Sequence, residues 1–148
     1  SAFYLNLGIE TLPVRMDRYF ENALKVAKHF KNSPKIASVT YPYLEGDKSF
    51  DLAKKYMPNG CCGVVSISIK GGRDAAVRFM DALTLASDEV HVADIRTCVL
   101  HPASATHRQL TDEQLEAAGI DGGMVRFSCG LENIDDIIAD IEKGLAAI

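Results

Sequence analysis

Apolar residues recur along the chain in two alternating periods, and the switches between them define the elements. Met16, Phe20, Ala23, Leu24, Ala27 and Phe30 recur at helical spacing. Pro13 suits the first turn of that helix, Leu12 marks a break before it, and Asn32-Ser33-Pro34 stops it. Ile36 to Tyr41 reads as a strand and Pro42 to Asp47 as a loop. Asp47 is the expected cap of a short helix carrying Phe50, Ala53 and Met57, which Pro58-Asn59-Gly60 ends. Val64 to Ile69 is the clearest strand: Val65, Ile67 and Ile69 share one face, Ser66 and Ser68 the other. After the Gly71-Gly72 turn a helix is predicted from Asp74 to Leu85, with Val77, Met80 and Leu83 inward. Glu89 to Leu100 reads as a second long strand, ended by His101-Pro102. Thr111-Asp-Glu-Gln114 is a capping box opening a short helix that Gly119 closes. Gly122-Gly123 lead into a strand from Met124 to Cys129. The last helix starts near Asn133, with Ile134, Ile137, Ile138, Ile141 and Leu145 as its stripe and Asp135 and Asp136 at its positive end.

This order predicts an α+β two-layer sandwich: a small, mainly antiparallel sheet of about four strands with helices on one face. The serines of the second strand leave the other face semi-polar. The opening segment fits this plan least well. Ala2 to Ile9 is apolar and has no start signal, so it reads as the inside of an element cut from something larger, or else as the first element of a small domain.

Composition adds exclusions. The chain has 148 residues, 47% of them hydrophobic and 24% charged, which fits one ordinary globular domain. A net charge of −4 without a Lys/Arg cluster argues against nucleic acid and anionic membranes as partners. No apolar run approaches the ~20 residues of a membrane span. Cys61, Cys62, Cys98 and Cys129 include no CxxC pair, and adjacent Cys61 and Cys62 would point to opposite faces of a strand. All four read as reduced thiols of a cytoplasmic protein.

Few residues offer chemistry. His101 and His107 flank a proline loop, but no second cluster completes a metal site, so none is expected. Ser104 and Ser128 lack the setting of a hydrolase nucleophile, and Lys70 ends a strand before two glycines, where a solvated lysine is expected. Cys129 reads as a small core residue rather than an activated thiolate. Arg126 stands apart. It lies between Val125 and Phe127 on a strand, and its permanent charge demands an anion if buried. The spacing leaves two partners open: an internal carboxylate, or the carboxylate of a ligand.

Three stretches carry a resemblance: Asp94-Ile-Arg-Thr-Cys-Val-Leu-His-Pro-Ala-Ser-Ala-Thr-His107, Gln109-Leu-Thr111, and Gly123-Met-Val-Arg-Phe-Ser-Cys-Gly-Leu-Glu132. Together they resemble the C-terminal part of the pyridoxal-phosphate enzymes of cysteine and methionine metabolism, above all the O-acetylhomoserine sulfhydrylases. Glu10 to Met16, Glu21 to Ala27 and Ile134 to Asp140 fit the same family, so the likeness runs essentially end to end. By this resemblance Arg126 takes the place of the arginine that pairs with the substrate α-carboxylate. Thr97 takes a place, usually serine, beside that carboxylate. Arg96 stands where the enzymes that handle cystathionine tend to carry glutamate, which favours a sulfhydrylase.

The resemblance further implies that residues 1–12 are the remnant of an interdomain segment and residues 13–148 the C-terminal domain of a fold-type I transferase. The cofactor, pyridoxal 5'-phosphate, would belong to the parent enzyme. Its lysine, its ring-stacking aromatic and its phosphate loop lie in an N-terminal domain that is a partner of this chain, so no cofactor is expected on the chain itself. The implied parent reaction is γ-replacement of acetate in O-acetylhomoserine by sulfide or a thiol, giving homocysteine or methionine. The expected partners are a small amino-acid substrate and further copies of the protein. The alternatives are a sister cystathionine γ-synthase or γ-lyase, and a stand-alone amino-acid-binding or interaction module without catalysis.

Overall fold

The alternation read in Val64 to Ile69 organises the molecule. A computed structural model describes residues 2–148. Its helices are α1 (Ala2–Glu10), α2 (Leu12–Lys31), α3 (Phe50–Tyr56), α4 (Gly72–Asp81), α5 (Asp112–Ala117) and α6 (Ile134–Ala146). Its strands are β1 (Ile36–Thr40), β2 (Val64–Ile69), β3 (Ser87–Asp88), β4 (Cys98–Leu100) and β5 (Met124–Ser128). The sheet runs β1-β2-β5-β4-β3. Its first three pairings are antiparallel and β3 pairs β4 in parallel, so the sheet is mixed and has five strands rather than about four.

Val65 and Ile67 of β2 face Phe127 and Val125 of β5, all on one side of the sheet. They are buried against α2, α4 and α6. Phe30 of α2, Phe79 of α4 and Phe127 of β5 meet at the centre with ring centroids 5.2–6.4 Å apart, tilted or edge-on as aromatic quadrupoles prefer. Gly144 lets α6 close on this cluster, because a Cβ there would stand 2.6 Å from the Phe79 ring.

Several expectations shift. α2 starts at Leu12, with Pro13 in its first turn, and its buried stripe is Tyr19, Asn22, Ala23, Val26, Ala27 and Phe30, leaving Met16 exposed. α3 is preceded by Ser49, not capped by Asp47. The Asp47 carboxylate instead accepts from the Ser49 and Tyr41 N–H groups and ties the loop to the end of β1. α4 starts at Gly72, after Gly71 at φ 98°, and buries Ala75, Ala76 and Phe79 while Val77 is exposed. The opening segment is helical: α1 packs on α2 and buries none of its residues.

The largest correction falls on Glu89 to Leu100. Only its end, Cys98–Leu100, is a strand, and the short β3 lies before it. Glu89, His91, Asp94 and Arg96 pair with one another at the surface, and Ala93 takes a left-handed φ of 57°. Such a φ breaks a strand, so residues 89–97 form a loop.

The sheet edge is tied to α6 by one carboxylate. Asp140, 2% exposed, accepts hydrogen bonds from the N–H groups of Thr84, Leu85 and Ala86 and from the Thr84 hydroxyl, at 2.8–3.0 Å. Burial alone would raise its pKa, but those donors outweigh it and hold the carboxyl below its ordinary value. A depressed folded-state pKa gives stability that is present above the unfolded value, near 4, and lost as pH falls through the folded value. Asp140→Asn is expected to lower stability by roughly 1–3 kcal/mol at neutral pH, since an amide offers fewer acceptors to the same donors. It should also flatten the acid limb of the stability profile. Urea melts of both proteins between pH 2 and 7 check this.

Candidate functional site

β5 presents Phe127 to the core and, one residue earlier, Arg126 to the opposite face. Arg126 pairs across the sheet with Ser66 of β2 and Leu100 of β4. The pattern of a core strand is real, but the arginine points away from the core. Its Nη2 donates to the carbonyl oxygens of Val90 and His91, at 2.8 and 3.5 Å, on the loop that replaces the predicted long strand. Its Nε is buried and has no hydrogen-bond partner. Among the described residues no carboxylate forms an ion pair with Arg126. A guanidinium carries five N–H donors, so capacity for an anion remains on this face.

Thr97 immediately precedes β4 and is fully buried. Its hydroxyl donates to Glu132 Oε2 at 2.9 Å and accepts from the Gly130 N–H at 3.0 Å, while its own N–H donates to Glu132 Oε1 at 2.6 Å. Gly130 is required by this approach: a side chain there would run into the backbone of Arg96 and Thr97. From the other side Asn22 of α2 donates to the carbonyls of Gly130 and Glu132, at 2.9 and 3.0 Å. Glu132 thus fixes the β4 entry to the end of β5. Sequence reading placed Glu132 in the motif without giving it this role, and it passed over Asn22. A polar residue in the buried stripe of α2 was the available signal.

The other candidates are placed as structural groups. His101 is buried, with Nε2 2.9 Å from the Gly122 carbonyl and Nδ1 2.8 Å from the Ser104 hydroxyl, and it locks the loop after β4. His107 is half-buried and bonds Thr106. Ser128 accepts from the Ala93 N–H. Burial pushes the thiols of Cys98 and Cys129 up, against an activated thiolate at either. The Lys70 ammonium donates to the Pro34 carbonyl. Arg96 is exposed, between Glu89 and Asp94.

The fold matches a crystal structure from Campylobacter jejuni, described as a prospective O-acetylhomoserine (thiol)-lyase and holding a pyridoxyl-lysine monophosphate. The TM-score is 0.88 at 38% identity, over 95% of this chain and 33% of that one. Residues 1–146 match the family model of the Cys/Met metabolism PLP-dependent enzymes, and the chain belongs to that family. It is 46% identical to the O-acetyl-L-homoserine sulfhydrylase of Leptospira meyeri, over 100% of this chain and 34% of that protein. It is 46% identical to the homocysteine synthase of Schizosaccharomyces pombe, over 98% and 34%. With the L-methionine gamma-lyase of Fusobacterium nucleatum subsp. polymorphum the identity is 44%, over 100% and 37%. The chain therefore spans about a third of the length of the curated relatives it matches.

The Thr97 network makes a local prediction. Thr97→Ser keeps the hydroxyl and should cost under about 1 kcal/mol. Thr97→Val removes it, leaving the Gly130 N–H and one Glu132 oxygen unpaired, at a cost of roughly 1–3 kcal/mol. Denaturant midpoints of the two variants test the difference.

Proposed function

We propose that this chain is the substrate-carboxylate-binding domain of an O-acetylhomoserine sulfhydrylase-like enzyme, which replaces acetate at the γ-carbon by sulfide or a thiol. The observation that carries the reading is Arg126. Its guanidinium lies on the face of β5 opposite the core, donates to two backbone carbonyls, and has a buried Nε without a partner. A substrate α-carboxylate would supply the missing anion through two parallel hydrogen bonds. Holding that end orients the reacting carbons, a positional contribution to rate.

Thr97 serves the same subsite by position. With its hydroxyl engaged by Glu132 and Gly130, it fixes the turn that follows β5, the strand carrying Arg126. Pyridoxal phosphate, when bound by the parent enzyme, supplies the electron sink for carbanions formed on the substrate. The residues that hold it belong to the N-terminal part of that enzyme. This chain adds the carboxylate grip and closes one side of the site. The γ-lyase relative at 44% identity keeps elimination as a second reading.

Residues 1–12 are proposed as the segment joining the two domains. Phe3, Tyr4, Leu5, Leu7 and Ile9 of α1 are 46–76% exposed, more apolar surface than an isolated helix normally presents to water. Their proposed cover is the N-terminal domain of the parent and, for the 148-residue chain alone, a second copy. The isolated chain is expected to sediment as a dimer or larger at high concentration. A monomer throughout the concentration range counts against this cover.

The anchor role is tested in the full-length protein that carries this chain. Arg126→Lys keeps the charge and loses the planar fork. Each charge-assisted bond contributes roughly 1.5–3 kcal/mol, so kcat/KM with O-acetylhomoserine and sulfide should fall about ten- to a thousandfold. The melting temperature should change little. A large drop in melting temperature with near-normal kcat/KM would refute the anchor. Turnover of methionine without an acceptor, faster than γ-replacement, would favour the lyase.

A further inference from the structure

On a strand Cys61 and Cys62 would point to opposite faces, but both lie in the loop before β2, where their thiols converge. The Sγ atoms are 3.8 Å apart, and no disulfide joins them. Cys62 is exposed and Cys61 is 7% exposed, so one sulfur meets solvent and the other waits behind it.

The loop holding them is clamped on both sides. The Tyr41 hydroxyl donates to the Cys62 carbonyl at 2.9 Å, and the Cys129 N–H donates to the Gly63 carbonyl at 2.8 Å. Gly60, at φ 133°, turns the chain into it, and Gly63 lies where a Cβ would stand 3.0 Å from the Tyr19 Cβ. The backbone that carries the two thiols is therefore held by the fold.

The sulfur separation has a chemical reading. Two bonds of about 2.3 Å from one pyramidal thiophilic centre, with an angle of roughly 95–100° between them, need sulfurs about 3.4–3.5 Å apart, a few tenths of an ångström inside the present spacing and within reach of a small χ1 rotation. A bonded disulfide would require the sulfurs to close to about 2.0 Å across adjacent residues, well inside the present spacing. Zinc asks for four ligands, and among the described residues the one group of three or more His, Cys, Asp or Glu side chains close enough to share an ion is Glu89, His91 and Asp94. Two sulfurs and no third ligand suit a centre that arrives with its own remaining substituent.

We propose that Cys61 and Cys62 form a dithiol site for trivalent arsenicals of the aryl or alkyl type, distinct from the Arg126 subsite. The exposed Cys62 sulfur bonds first and Cys61 closes the ring. Burial pushes the Cys61 thiol up, so it enters as the protonated thiol. With an arsine oxide, two As–S bonds form and the arsenic–oxygen bond is lost. The two thiol protons leave with the oxygen as one water. Arsenic stays trivalent throughout, and no oxidant or reductant is needed.

The test uses phenylarsine oxide at one equivalent on the reduced 148-residue chain, read by intact-mass spectrometry. One adduct is expected, equal to the arsine oxide less one water. It should survive excess 2-mercaptoethanol and be stripped by 2,3-dimercaptopropanol, because only a second dithiol matches a chelate. Binding should also raise the melting temperature, as any ligand of the folded state does. Cys62→Ser and Cys61→Ser should each lower retention in monothiol at least tenfold, while Cys98→Ser keeps it. Cys62 is exposed, so its serine variant is expected to fold even where the Cys61 variant does not, and circular dichroism verifies this. An adduct equally resistant to monothiol in folded Cys62→Ser, or no adduct on the wild-type chain, overturns the proposal.

Discussion

The structure depends on the two-residue period of β5. Phe127 must face the helices, because it completes the aromatic triangle with Phe30 and Phe79. A strand cannot turn one residue inward without turning the next outward. Arg126 is thus aimed by its neighbour's hydrophobicity, and its charge needs no burial in the core. A slip of one residue in the β5 register would put the guanidinium among the rings and expose Phe127, at a cost the fold could not survive. Packing on one face of the sheet fixes the direction of chemistry on the other.

Two carboxylates then hold the periphery to this frame. Asp140 gathers the N–H groups that follow α4, and Glu132 gathers those at the entry to β4. Each comes from the C-terminal part of the chain and satisfies backbone donors that no helix or strand uses. Asn22 answers Glu132 from α2, so three segments far apart in sequence share one polar joint. The loop 89–97 is suspended between that joint and Arg126, which is why it can stay irregular and still be placed.

Much of this was legible in the sequence. The period of Val64 to Ile69, the capping box at Thr111 and the stripe of α6 reported their elements because local patterning and tertiary packing agree there. Its place between Val125 and Phe127 singled out Arg126, although nothing in that spacing showed that no carboxylate would meet it. Glu89 to Leu100 misled because Val90, Val92 and Ile95 look like strand residues while they stand 55–62% exposed. Their charged neighbours pair among themselves, and the turn at Ala93 has no glycine to announce it. Asp47 was misplaced for a related reason, and the approach of the Cys61 and Cys62 thiols was not legible. Their geometry is set by loop hydrogen bonds, which leave no periodic trace.

The strand order has a consequence for how the protein is born. β5 sits in the middle of the sheet, yet it is the last strand to be synthesised. On the ribosome β1 and β2 can pair as soon as both emerge, but the inner edge of β2 must then wait for its neighbour. At ~5–20 residues per second that wait lasts seconds, with a strand of Val65, Ile67 and Ile69 unpaired along one side. Ser66 and Ser68, alternating with those residues, make the nascent edge half as greasy as a continuous apolar strand. The serines that leave one face of the finished sheet polar also guard the unfinished one against the neighbouring chain.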